Sequence, residues 1–296
     1  MSNTKAHILV LFTNIFFAVN YSLIKYISPS HIGSFGLNVM RVGISLLLFW
    51  VLWMMGPHSD KIKKEHWLRF FLCGLTGVAL NQMLFIKGLT ITSTIHASLL
   101  MLCTPLLITI FAFWILKEKV TFWKIAGLVL GIGGAVLLIV AKEAAGTASL
   151  KGDVLIILNA IAYTIYFILV KPLMTTYQPL VIVRWVFTFG FILMLPFGWS
   201  QFIEMDWQSL IFKDYVVLAF ICICGTFLAY IFNVYGIKYL GAGTTGAYIY
   251  TQPVFVALIA ILALGERFTI EKAIAGLLIF SGVFLVSRKN PPIVEE

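Results

Sequence analysis

Two stretches decide the architecture: residues 97–118, ASLLMLCTPLLITIFAFWILKE, and residues 247–266, AYIYTQPVFVALIAILALGE. Each is an apolar run interrupted by one proline and closed by a glutamate that sits directly before a basic residue, Lys119 or Arg267. A proline lacks an amide donor and loosens the preceding helical turn, so two runs punctuated alike read as one element used twice. A shift of 148 residues lays Pro105 on Pro253, Ala112 on Ala260 and Glu118 on Glu266. The register extends outward to Gly77 on Gly225, Leu80 on Leu228 and Gly88 on Gly236. With one more residue of slip, Ile125-Ala126-Gly127 falls on Ile274-Ala275-Gly276, and a shift of 143 to 145 pairs Arg41 with Arg184, Asn14 with Asn159 and Tyr21 with Tyr166. Chance rarely keeps proline, glycine and glutamate in step together.

The chain surrounding these stretches is 61% hydrophobic and 11% charged, against roughly 25% charged in soluble domains, which argues against a water-soluble fold. Runs of about 20 apolar residues, each long enough to cross a hydrocarbon core, are expected at 7–27, 34–55, 67–88, 93–116, 121–141, 152–172, 179–199, 214–236, 243–264 and 270–288. The fold class is therefore all-α integral membrane, with ten transmembrane helices as two inverted five-helix repeats, residues 1–144 and 145–296. An odd number of crossings per unit sends the second unit into the membrane from the opposite face, a plan common among secondary transporters. The N-terminus, with Lys5 and His7 before an apolar run, resembles a secretory signal but lacks a small-residue cleavage site, so it is read as the first helix.

Basic residues fix the orientation. With the N-terminus inside, twelve Lys and Arg lie in inside segments against seven outside, so both termini are expected in the cytoplasm. That distribution, one to four residues at a time beside helix ends, also explains the net charge of +9 without nucleic acid. Cys73, Cys103, Cys222 and Cys224 fall inside spans, and Cys222-Ile223-Cys224 lacks the gap of a redox or zinc pair, so they read as small apolar fillers and no metal or cofactor is expected. An intramembrane enzyme would need a nucleophile with its base or a metal cluster; HExxH, paired Asp and GxSxG patterns do not occur. The loops are too short to house catalysis, or to relay a signal as a sensor would.

The elements Ala97 through Pro105 to Glu118 with Gly127, and Ala247 through Pro253 to Glu266 with Gly276, cover both halves. On them the chain resembles the ten-helix EamA-type members of the drug/metabolite transporter superfamily. The resemblance implies an alternating-access carrier in a bacterial-type inner membrane, often exporting amino acids or other metabolites. It implies a central cavity lined chiefly by the first, third, fourth, sixth, eighth and ninth helices. Its partners would be a small-molecule solute and the lipid bilayer, with monomer and homodimer both open and multidrug efflux as the alternative.

Polar groups in mid-span are costly in lipid and should face other helices or a wet cavity. Asn159, Tyr163 and Tyr166 share one face of the sixth helix, and Asn14 and Tyr21 repeat the spacing on the first. The ninth helix carries Thr244, Tyr248, Thr251 and Gln252 beside Pro253, the fourth His96, Cys103 and Thr104 beside Pro105, the third Asn81 and Gln82, and the eighth Tyr230 and Asn233. These would suit a neutral or zwitterionic solute, unless they serve as interhelical hydrogen bonds. Pro105 and Pro253 are read as kinks or gates. Arg41 and Arg184, several residues inside their helices, are assigned a gating or ion-pair role because deep charge needs a partner. Lys25 and Lys87, near the outer face, are expected to snorkel, with attraction of carboxylates toward the mouth as the alternative. Glu118 and Glu266 are assigned to structural turns, and Gly127-x-x-x-Gly131 to close helix contact. All 12 acids fall in loops, tails or helix ends, so no buried carboxylate relay is expected, and His96 is left as the titratable side chain within a polar stripe.

Overall fold

The computed structural model describes residues 3–56, 61–116, 122–140 and 149–287, and these contain helices and turns without a strand. Glu118 and the side chain of Thr244 fall outside what is described. The helices are α1 (Asn3–Ile27), α2 (Ser34–Met54), α3 (Trp67–Gly74), α4 (Asn81–Ile91), α5 (Thr94–Met101), α6 (Thr104–Leu116) and α7 (Phe122–Val140). They continue with α8 (Leu150–Met174), α9 (Pro179–Ile203), α10 (Phe212–Cys222), α11 (Ala229–Ala247), α12 (Gln252–Leu264) and α13 (Ile270–Ser287).

The helices make ten crossings, four of which contain a break or an irregular turn. In the third, α3 runs through a π-helical turn, Leu75–Leu80, into α4; in the eighth, α10 runs through a second π turn, Ile223–Leu228, into α11. Those two turns lie 148 residues apart at both ends, the register of the repeat. In the fourth crossing α5 stops at Met101 and α6 restarts at Thr104. Pro105 supplies no amide to the preceding turn, and the amides of Leu102 and Cys103 bond three residues back instead, to Leu99 and Leu100. In the ninth, a 3₁₀ turn at Tyr248–Thr251 precedes α12 and Pro253. The helices after the two breaks, Thr104–Leu116 and Gln252–Leu264, again correspond residue for residue at a shift of 148.

Among the described residues six helical stretches are long and apolar enough to span a bilayer: 4–27, 34–54, 64–91, 150–176, 179–203 and 212–236. Three further apolar helical stretches, 94–108, 122–137 and 248–264, are shorter among the described residues. Large apolar side chains face outward, among them Leu262 at 85% and Leu277 at 69% exposure, which in water would be a liability and in lipid is the correct surface.

The packing is symmetric between the halves. α2 lies against α9, α7 against α13, α1 against α11 and α12, and α8 against α4 and α6. The α7–α13 seam is built on small residues: a Cβ on Gly282 would meet the Gly127 carbonyl oxygen at 2.5 Å and the Gly131 nitrogen at 2.6 Å. The Gly127-x-x-x-Gly131 spacing thus serves a contact within the chain, where close backbone approach replaces the missing hydrophobic drive between helices in lipid. Ten crossings put the start of α1 and the end of α13 on one side, called terminal here; the other is distal.

Candidate functional site

At mid-depth the two halves meet through polar side chains. The Asn159 amide donates to the Asn81 carbonyl at 2.7 Å, and the Asn81 amide donates to the Asn159 carbonyl at 3.4 Å. The next residue, Gln82, donates from Nε2 to the Tyr230 hydroxyl at 3.0 Å, while its carbonyl accepts from Asn38 Nδ2 at 3.1 Å. Arg41, 2% exposed, donates from Nε to the Thr226 hydroxyl at 3.0 Å. Thr226 is held there by the second π turn, since its hydroxyl donates to the Ile221 carbonyl five residues back. Such turns recur where a helix must present groups that regular geometry would use up. Tyr163 and Tyr166, with ring centroids 5.7 Å apart, both lie within electrostatic range of Tyr230. Asn38, Arg41, Asn81, Gln82, Asn159, Tyr163, Tyr166, Thr226 and Tyr230 therefore form one cluster drawn from four crossings.

Below it, toward the terminal side, lies a cavity of ≈ 390 Å³ between α2, α9 and the eighth crossing, walled by Phe49, Leu52, Val183, Phe227, Ile231 and Tyr230 and reaching Gln178 at the helix linker. The resemblance placed the cavity among the first, third, fourth, sixth, eighth and ninth helices; this cavity instead takes two of its three walls from the second and seventh. Apolar side chains line it, and apolarity alone does not tell a cavity wall from a lipid face.

At the distal end a set of polar contacts links helices of the two halves. Lys25 Nζ donates to the carbonyls of Leu89, at 3.2 Å, and Thr92. The Thr92 hydroxyl donates to Asp153, whose other oxygen lies 3.6 Å from His96 Nδ1. Asp214 accepts from the Tyr26 hydroxyl at 3.0 Å and faces His31 at 3.8 Å. Glu266 accepts from the amides of Thr94 and Ile95 at 2.7 and 3.1 Å, capping α5 from the far end of α12. Gly265, with φ of +66°, makes the left-handed turn just before Glu266.

The candidates picked from the sequence divide accordingly. Asn81, Gln82, Asn159, Tyr163, Tyr166 and Tyr230 come together, and Tyr230 alone of these lines the cavity. Asn14 is buried with its amide folded back on the Val10 carbonyl at 2.8 Å, and Tyr21 packs edge-on to Phe85. Tyr248 meets His7 at 2.8 Å near the terminal end, and the Thr251 hydroxyl turns back to the Tyr248 carbonyl. Gln252 and Asn233 are half-buried, Pro253 buried and Pro105 half-buried. His96 belongs to the distal tie rather than the mid-depth cluster. Arg184 is buried with its guanidinium over the rings of Trp50, Trp53 and Trp185 at 4.7, 4.5 and 5.6 Å, where aromatic faces help to hold the cation.

Two features escaped the sequence reading. Asp153 and Asp214 begin helices, as expected, and are 2% and 1% exposed there, a burial the sequence did not reveal. Helix-start position hid this, since the same position is normally solvated and favoured by the helix dipole. Asn38 was passed over although it precedes Arg41 by three residues, on the same helix face.

A likeness to known proteins agrees with the fold. A solved crystal structure superposes with a TM-score of 0.63 at 15% identity, over 96% of each chain. An uncharacterized transporter of Archaeoglobus fulgidus is 26% identical over 297 residues, covering 97% of this chain and 99% of that one. A probable terminal-alkyne amino-acid exporter of Streptantibioticus cattleyicolor is 25% identical over 226 residues, covering 74% of this chain and 72% of its own. The EamA-like transporter family matches twice, over residues 4–140 and 150–288, and with a match that spans nearly the whole chain this protein belongs to that family.

Proposed function

We propose that the protein is a secondary carrier that exports amino acids or similar small metabolites by alternating access between two inverted units, residues 1–144 and 145–296. The observation that carries this reading is the mid-depth cluster of Arg41, Gln82, Asn159 and Tyr230, supplied by both units and set above an apolar cavity on the terminal side. Amides and hydroxyls suit the polar ends of a neutral or zwitterionic solute, and the apolar wall suits its side chain. The distal tie through Lys25, Asp153, Asp214 and Glu266 fits a carrier closed on that side.

Pro105 and Pro253, at equivalent breaks, act as the bends of the cycle, and Asn14, Tyr21, His96, Asn233, Tyr248, Thr251 and Gln252 lie along the route that opens as those bends move. Glu118 is assigned the structural turn role that its repeat mate suggests. The positive-inside excess supports cytoplasmic termini in a bacterial-type inner membrane. The likeness to an amino-acid exporter supports the solute class.

Growth protection tests the reading. Cells lacking or overproducing the protein are screened against toxic amino-acid analogues and against cationic dyes; protection against analogues, lost in Gln252→Ala and Asn159→Ala with membrane insertion intact, is the expected result. Protection against dyes alone replaces the metabolite reading with multidrug efflux.

A further inference from the structure

The two arginines of the repeat are equivalent in sequence and unlike in surroundings. Arg184 is covered by three indole faces, which attract a cation through their ring quadrupoles. Arg41 sits seven residues into α2, about 10 Å along the helix axis, and is equally buried. Among the described residues no carboxylate lies within ion-pair distance of Arg41. Its Nε is used by Thr226, and its Nη1 is buried without an acceptor. A guanidinium carries five donors in a fixed fork that matches a carboxylate, and leaving one buried and unpaired is costly.

The spare groups around it are complementary. Asn38 Oδ1 and Asn159 Oδ1 are also buried without a donor, each amide having spent its nitrogen on a neighbouring carbonyl. One unmet cationic donor and two unmet neutral acceptors therefore occur in a single cluster. Arg41 is joined to the cavity by its own helix face, since Ser45, Phe49 and Leu52 follow at helical spacing and the last two line the wall. It is joined also by Tyr230, which lies within electrostatic range of the guanidinium and forms part of the same wall.

We propose that Arg41 binds the carboxylate of the solute, with the carbonyl oxygens of Asn38 and Asn159 taking its ammonium or hydroxyl hydrogens. The substrate class is then a compact carboxylate bearing a second donor group and an apolar side chain. An amine without an acid is excluded, because it would bring a second cation to Arg41. This rests on the carrier reading and narrows it. Since Arg41 and Asn38 come from α2 and Asn159 from α8, the bound solute would also join the two units.

The test uses the full-length protein purified in detergent and three matched pairs: L-leucine with L-leucinamide, L-phenylalanine with L-phenylalaninamide, and benzoate with benzamide. Thermal unfolding is followed with each, with sodium phosphate as a separate arm. At least one acid is expected to stabilise the wild type while its amide does not. Arg41→Lys is expected to retain part of the effect, and Arg41→Met to weaken it by roughly ten- to hundredfold in half-saturating concentration. Stabilisation by phosphate equal to that by every acid would overturn the carboxylate assignment in favour of a general anion site. Equal response to acid and amide, persistence in Arg41→Met, or no response to any acid would each overturn it as well. The acid and amide comparison in the wild type stands even if Arg41→Met does not fold. Liposome counterflow separates the two readings: amides carried as fast as acids would end the Arg41 inference and leave the carrier reading intact.

Discussion

Asn81 and Asn159 each donate a side-chain amide to the other's backbone carbonyl, at 3.4 and 2.7 Å. The exchange fastens the third crossing of one unit to the first of the other, directly beside Gln82 and its bond to Tyr230. The two bonds are unequal, and the shorter is the stronger. Asn159→Ala is therefore expected to destabilise by about 1–3 kcal/mol, because it strips the better donor from a buried site, and Asn81→Ala by less. Unfolding midpoints in detergent measure both. The reverse order would show that the longer contact is the one the helices depend on.

Glu266 caps a helix that is not its neighbour in sequence. Its carboxylate receives the first amides of α5, 172 and 171 residues away, and so ties the distal end of the ninth crossing to that of the fourth. Glu266→Gln retains acceptor capacity and loses charge, whereas Glu266→Ala loses both. Stability is expected to fall in the order wild type, Glu266→Gln, Glu266→Ala, with about 1–2 kcal/mol for the alanine by analogy with lost helix caps. Equal stability of all three, measured by thermal unfolding, would remove the cap from the account.

The glycine seam makes a sharper contrast. On Gly282 a methyl group would strike the backbone of Gly127 and Gly131 at 2.5 and 2.6 Å, while on Gly133 it would meet nothing within 4 Å. Backbone cannot rotate out of the way, so Gly282→Ala is expected to cost about 1–3 kcal/mol by overpacking. Gly133→Ala should be neutral or slightly stabilising, because alanine favours the helix. Purified yield and unfolding midpoint would report the difference, and matched behaviour of the two variants would mean that α7 and α13 do not touch as described.

The repeat was legible because it is written in residues whose backbone effects are strong. Pro105 and Pro253, spotted as a pair, prove to be equivalent helix breaks, and Gly77 and Gly225 lie in equivalent π turns. The spans were legible for the same reason, since their apolar runs end at polar turns. Which face of each span looks inward was harder to read, because helices that meet lipid on one side and protein on the other are apolar all round. Phe49 and Val183 line the cavity, yet nothing in their own chemistry separates them from Leu47 at 68% exposure. Asp153 and Asp214 fall at helix starts as read, but that position already accounts for a charge, so their burial left no trace in the sequence.

That buried distal carboxylate has a measurable consequence. Asp153 holds Thr92 and faces His96, so it links the start of α8 to the turn before α5 and, through Thr92, to Lys25 of α1. Asp153→Asn removes the charge while keeping the shape. In a chain whose native cysteines are replaced by alanine, Ile95→Cys reports on the gap, because Ile95 is 1% exposed. Labelling of that cysteine by a membrane-impermeant maleimide is expected to accelerate in the Asp153→Asn background. An unchanged rate would mean that the remaining ties, those of Asp214 and Glu266, hold the distal end without it.

The bond from Gln82 to Tyr230 joins the polar cluster to the cavity wall, and a double-substitution cycle isolates it. Tyr230→Phe leaves the ring that packs edge-on to Phe187 at 4.9 Å and removes only the oxygen. Gln82→Leu removes the donor at similar length. If the 3.0 Å contact is a working hydrogen bond, the pair should show a coupling energy of about 0.5–1.5 kcal/mol in thermal unfolding. Transport separates structure from recognition, because Tyr230 also faces the space where solute would enter. Tyr230→Phe should raise KM for counterflow more than it lowers kcat, as expected when a contact made equally in ground and transition states is lost. A fall in kcat with KM unchanged would place the hydroxyl in the conformational step instead of in solute binding.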